Sequence, residues 1–116
     1  MATAVAAAVS ASGGTCIGLL PGDDPDDAAP GITIPIATGL GHLRNLLIAR
    51  SCDAMIAIGG GYGTLSEIAF ALVLGKPVVA VNSWRVLRPE QTEPDPGVHR
   101  TASVEEAVEW IEARLG

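Results

Sequence analysis

The residues Gly59-Gly60-Gly61-Tyr62-Gly63-Thr64-Leu65-Ser66-Glu67 put a flexible backbone, hydroxyls and a carboxylate into one short stretch. Glycines let the main chain approach a ligand closely. Free N–H groups opening a helix, together with the positive end of its dipole, favour a phosphate there. Such chemistry needs a strand before the turn and a helix after it. Ala54-Met55-Ile56-Ala57-Ile58 reads as a buried strand, and Ile68 to Leu74 continues apolar at helical length. Two standard phosphate loops are excluded by residue type. A Walker A loop requires Gly-Lys-Ser/Thr, and the only lysine, Lys76, lies beyond the helix. A G-x-G-x-x-G fingerprint counted from Gly59 ends on Thr64, and counted from Gly61 it ends on Ser66. The loop therefore points to a phosphate without indicating whose.

Gly60-Gly61-Tyr62-Gly63-Thr64-Leu65-Ser66-Glu67 resembles the P-G-G-x-G-T-x-x-E signature of the Lonely Guy family, cytokinin-nucleotide phosphoribohydrolases that have also carried a lysine-decarboxylase label. Gly39-Leu40-Gly41-His42-Leu43-Arg44-Asn45 falls where that family has an Arg-Lys pair on a helix, and the matching register runs from Met1 to about Trp84. Gly59 stands in place of the signature's proline and Asn45 in place of its lysine. With Pro21-Gly22-Asp23-Asp24, these departures point to a bacterial and archaeal branch of the wider SLOG superfamily. The resemblance implies a Rossmann-like α/β fold with a parallel sheet covered by helices on both faces. It also implies a nucleotide-like ligand and at least a homodimer. Met1-Ala2-Thr3-Ala4-Val5 resembles the middle of the family pattern, so the chain is expected to lack a first strand–helix–strand unit of roughly 30 residues.

Length and composition agree with one domain spanning residues 1–116. Hydrophobic residues at 48% and charged residues at 17% make the chain globular rather than disordered. A net charge of −6 argues against an extended nucleic-acid or anionic-membrane surface, so a bound phosphate must be held by local dipoles and an isolated arginine. No apolar run reaches the ~18 residues of a membrane span, and the N-terminus lacks a signal-peptide pattern. Cys16 and Cys52 lack metal-type spacing and read as a buried, reduced pair, which fits a cytoplasmic protein.

Along the chain, a helix is expected over 2–12, stopped by Gly13-Gly14, and a strand over 15–20. An aspartate- and proline-rich loop then covers 23–31, followed by a short edge strand around Pro35. A helix over 41–51 sets Arg44 beside Leu43, Leu46 and Leu47. Strand 53–58, helix 64–74 and strand 77–81 follow, then a polar, mobile segment over 83–97. Ser103-Val104-Glu105-Glu106 is a capping box that opens a last amphipathic helix ending at Leu115. Helix 68–74 is apolar on every side, so a homodimer is expected through it.

Read as a structural residue, Glu67 completes a T-x-x-E capping box with Thr64. The resemblance instead makes Glu67 a catalytic carboxylate. In N-glycosidic hydrolysis such a group steadies an oxocarbenium-like charge or activates water. The resemblance likewise gives Arg44 a charge-assisted role on the ligand, and it gives Gly60, Gly61, Tyr62, Gly63 and Thr64 the 5′-phosphate. Asp23, Asp24, Asp26 and Asp27 lack a cation-loop spacing, and His42 and His99 share no ligand pattern with the cysteines, so no metal is expected. Lys76 sits in a turn beside Pro77, unlike a lysine desolvated for Schiff-base chemistry, and no cofactor is expected. Two functions follow. One is hydrolysis of a nucleoside 5′-monophosphate to free base and ribose 5-phosphate. The alternative is non-catalytic binding of a nucleotide or related phosphorylated ligand.

Overall fold

The structure is a computed structural model that describes residues 2–116; the reading of Met1 as part of a family-internal helix lies outside the described residues. The chain forms two compact units, the first running to Arg44 and the second from Asn45 to Gly116.

In the first unit, α1 (Ala2–Ala11) is an alanine-rich helix that ends where Gly13 adopts φ 79° and Gly14 N–H donates to Val9 O at 2.9 Å. β1 (Ile17–Leu20) and β2 (Ile34–Ala37) pair in parallel, with Ile17 opposite Ile34 and Gly18 opposite Pro35. Pro35 thus lies on a strand with a single partner, as the edge reading requires. The aspartate-rich crossover between them holds a short 3-10 turn, Pro25–Asp27, capped by the Asp24 carboxylate, which accepts from Asp26 N–H at 2.9 Å. Gly31 has φ 90°, and a Cβ there would lie 3.2 Å from the Ala6–Ala7 backbone, so only glycine admits this approach to α1.

In the second unit, β3 (Met55–Ile58), β4 (Val78–Val81) and β5 (Val98–Thr101) form a parallel sheet in that order, with Ile58 opposite Val81 and Val81 opposite Thr101. Strand alternation divides their side chains between two faces. Met55, Ala57, Val78, Ala80 and Val98 pack with Ala49 of α2 (Arg44–Ser51) and with Ile68 and Ala71 of α3 (Tyr62–Val73). Val79 and Val81 pack on the opposite face with Ala107, Trp110 and Ile111 of α4 (Val104–Leu115). A strand buried on both faces needs a continuous apolar sequence, and β4 is Val-Val-Ala-Val, buried throughout. Trp110 stacks on His99, 4.7 Å away and nearly parallel, and the Arg114 guanidinium lies 4.3 Å from its ring.

Three local expectations change. β5 is a strand, although His99 and Arg100 gave it no apolar run; its pairing to β4, rather than its own side chains, orders it. α3 starts at Tyr62, two residues before the position expected, so Thr64 is not its cap and the capping-box reading of Glu67 falls. Both cysteines are free thiols but half-buried rather than buried. The box at Ser103 does form: Ser103 Oγ accepts from Glu106 N–H at 3.2 Å, and Glu106 Oε2 accepts from Ala102 N–H at 3.4 Å.

Candidate functional site

The site begins where β3 ends. Gly59 (φ 57°) and Gly60 (φ 112°) turn the chain out of the sheet, and Gly61, extended at φ −93° and ψ −157°, caps α3 without a side chain. Gly60 is obligatory twice over: its φ is left-handed, and a Cβ there would collide with the Thr64 side chain. Gly61 is different, because a Cβ added there meets no atom within 4 Å. Open space therefore lies beside the cap.

Tyr62, Gly63 and Thr64 are the first three residues of α3, where N–H groups have no intrahelical acceptor, and no acidic residue lies in that turn to compete for them. Two of the turn's carbonyls, by contrast, are occupied. Gly59 O accepts from Ser83 Oγ at 2.6 Å, and Gly61 O accepts from Trp84 Nε1 at 2.9 Å. Ser83 and Trp84 are themselves fixed by Arg100 of β5, whose Nη2 donates to Ser83 O and Nη1 to Trp84 O, both at 2.9 Å. The first N–H groups of α3 thus lack helical acceptors while two carbonyls of the turn are engaged, at the carboxyl ends of β3 and β4, the end at which parallel α/β sheets bind ligands.

Buried Asn45 pins the same turn from the α2 side. Its Nδ2 donates to Ser66 Oγ at 3.0 Å, and Ser66 Oγ donates to Gly63 O at 2.7 Å. The residue standing in place of the family's lysine therefore serves as a neutral brace. Glu67, sixth in α3, is half-buried. The structure brings Gly60, Gly61, Tyr62, Gly63, Thr64 and Glu67 together on one turn and helix. Arg44 belongs to the first unit, where its Nη1 donates to Leu19 O at 2.7 Å at the end of β1.

Sequence reasoning missed Ser83, Trp84 and Arg100. Their bonds to the turn and to each other span 16 to 24 residues, so no local pattern announces them. The one signal available was position, since Ser83 and Trp84 directly follow an apolar strand. Away from the site, depressions of about 390 and 320 Å³ lie along 88–96. The larger is lined by Glu90 and Glu93, a poor setting for a phosphate.

Comparison with known proteins gives the following. A model of the SLOG cluster4 family matches residues 1–108. An uncharacterized protein of Archaeoglobus fulgidus is 51% identical over 65 residues, covering 50% of this chain and 43% of that protein. A rice protein (Oryza sativa subsp. japonica), named "Probable cytokinin riboside 5'-monophosphate phosphoribohydrolase LOGL9", is 35% identical over 86 residues, covering 67% of this chain and 38% of its own length. The matches thus span less than half the length of these curated relatives. Among solved structures, the molybdenum cofactor binding protein of Rippkaea orientalis superposes with a TM-score of 0.83 at 28% identity, over 98% of this chain and 71% of that one. The molybdenum cofactor carrier protein of Chlamydomonas reinhardtii gives 0.76 at 33%, over 95% and 68%. The α/β Rossmann-like fold is shared with these neighbours. Among the described residues, no helix is long and apolar enough to cross a membrane.

Proposed function

The chain belongs to the SLOG cluster4 family, and from that premise we propose that it binds a nucleoside 5′-monophosphate or related small phosphorylated ligand, with the phosphate on the first turn of α3. The observation that carries this is the pairing of open space at Gly61 with uncapped N–H groups at Tyr62, Gly63 and Thr64. The net charge of −6 opposes an anion only weakly. At physiological salt the Debye length is about 8 Å, so distant carboxylates are largely screened. The turn's donors act at hydrogen-bond contact, about 2.9 Å, where charge-assisted bonds are strongest.

Hydrolysis of the N-glycosidic bond is the second reading. It is favoured by the place of Glu67 on α3, one turn beyond the proposed phosphate seat, and by the name of the rice relative. Arg44 joins Glu67 as a catalytic candidate through the family resemblance. Ligand binding without turnover is favoured by the binding and carrier names of the two structural neighbours, which make a molybdenum cofactor a further candidate ligand. One experiment separates the readings: incubation with a panel of nucleoside 5′-monophosphates, following binding by calorimetry and the release of free base and ribose 5-phosphate. Turnover that Glu67→Gln abolishes while binding persists supports the hydrolase. Binding without turnover supports the binding module, and binding of no phosphorylated compound removes both.

Homodimerisation is proposed through the outward side of α3, where Ala69 is exposed and Val73 is 83% exposed. Light scattering at micromolar concentration checks it, and a monomer would count against it.

A further inference from the structure

A phosphate seat leaves the rest of the ligand unspecified, and the residue that opens α3 bears on it. Tyr62 is 83% exposed, yet its ring does not hang free. It stacks on Trp84, with ring centroids 5.8 Å apart and an interplanar angle of 28°. Trp84 is half-buried and packs against the core that Ile68 and Val78 share. Its indole N–H is bound to Gly61 O at 2.9 Å, and its carbonyl is held by Arg100 Nη1 at 2.9 Å. One face of the tyrosine therefore rests on a fixed indole while the ring remains open to solvent.

We propose that the exposed face of Tyr62, backed by Trp84, stacks against a planar heteroaromatic ring of the phosphorylated ligand. The site would then select phosphates that carry a flat ring over plain sugar phosphates. This rests on the phosphate reading of the α3 turn. Three features support it. Core packing does not explain so exposed an aromatic residue. The N–H of Tyr62 is itself one of the open donors at the turn, so one residue presents both a phosphate contact and a ring face. An aromatic platform accepts any π-faced ring without base-specific hydrogen bonds, and a rigid support lowers the ordering cost of the contact.

The test uses the full chain and three probes: adenosine 5′-monophosphate, ribose 5-phosphate and inorganic phosphate. Affinities are measured by calorimetry for the wild type, Tyr62→Ala and Tyr62→Phe. The wild type is expected to prefer the nucleotide to ribose 5-phosphate by about tenfold or more, the scale of base–aromatic stacking. Tyr62→Ala is expected to erase that preference while changing ribose 5-phosphate affinity by less than about twofold, and Tyr62→Phe to keep it. A second readout needs no substitution in the site. In a Trp110→Phe background, tryptophan emission, excited selectively at the red edge of the indole band, comes from Trp84 alone. Saturating nucleotide should perturb that emission and ribose 5-phosphate should leave it nearly unchanged.

Equal affinity of the wild type for nucleotide and ribose 5-phosphate would overturn the platform and leave the phosphate seat standing. Failure of every probe to bind would remove both. A nucleotide preference that survives Tyr62→Ala, or an equal loss for both ligands, would also overturn the platform. So would a change of oligomeric state with unchanged nucleotide affinity, which would make Tyr62 a subunit contact.

Discussion

The two units carry similarly apolar strands and bury them very differently. β4 is buried along its whole length, between β3 and β5 and with helices on both faces. In β1 and β2, Ile17, Ile34 and Ile36 remain 57%, 46% and 43% exposed. The difference teaches that an apolar strand states a demand for cover, and that neighbouring elements decide whether it is met. The second unit supplies three helices and three strands. The first offers an alanine-rich helix and a two-stranded sheet, and alanine covers little area per residue. The glycine turn lies in the unit that is well covered, which lets a flexible backbone hold a fixed shape.

The comparison can be broken most visibly by removing atoms from the buried side. Ile68 is fully buried, so Ile68→Ala is expected to cost about 3 kcal/mol in urea denaturation. A loss below about 1 kcal/mol would mean that the covered face is loosely packed. Asn45→Ala follows at about 2 kcal/mol, because it removes a buried donor and leaves Ser66 with one partner fewer. Faster hydrogen exchange at the Leu65 amide, which donates to Gly61 O, would confirm that the brace acts on the turn. Ser103→Ala, which deletes the α4 cap, should cost about 1 kcal/mol. Ile34→Ala, in the exposed β2, is expected to cost under about 1 kcal/mol. If it equalled Ile68→Ala, the contrast between the units would fail.

Much of this was legible in the sequence. The strand expected over 53–58, which forms as Met55–Ile58, the glycine turn and the following helix were readable from hydrophobic period and residue type, and Ser103 with Glu106 announced a cap that forms. What escaped depends on long-range partners. β5 carries His99 and Arg100 and becomes a strand only against β4. The start of α3 was misjudged because Gly63 looks like turn, whereas the helix admits it beneath the Asn45–Ser66 brace. Among the site residues, the glycines were legible because backbone conformation demands them. Ser83, Trp84 and Arg100 were not, because ordinary polar and aromatic side chains acquire their task only where the chain folds back on the turn.

The phosphate seat on α3 is tested most directly by titrating wild type and Gly61→Val with the same nucleoside 5′-monophosphate. Gly61 has an ordinary negative φ and open space beside it, so valine should leave the denaturation midpoint nearly unchanged while its side chain fills the region meant for the phosphate. The expected result is saturable binding to the wild type and about a hundredfold or greater loss in the folded variant, on the scale of several charge-assisted hydrogen bonds. Equal binding to both proteins would contradict the account.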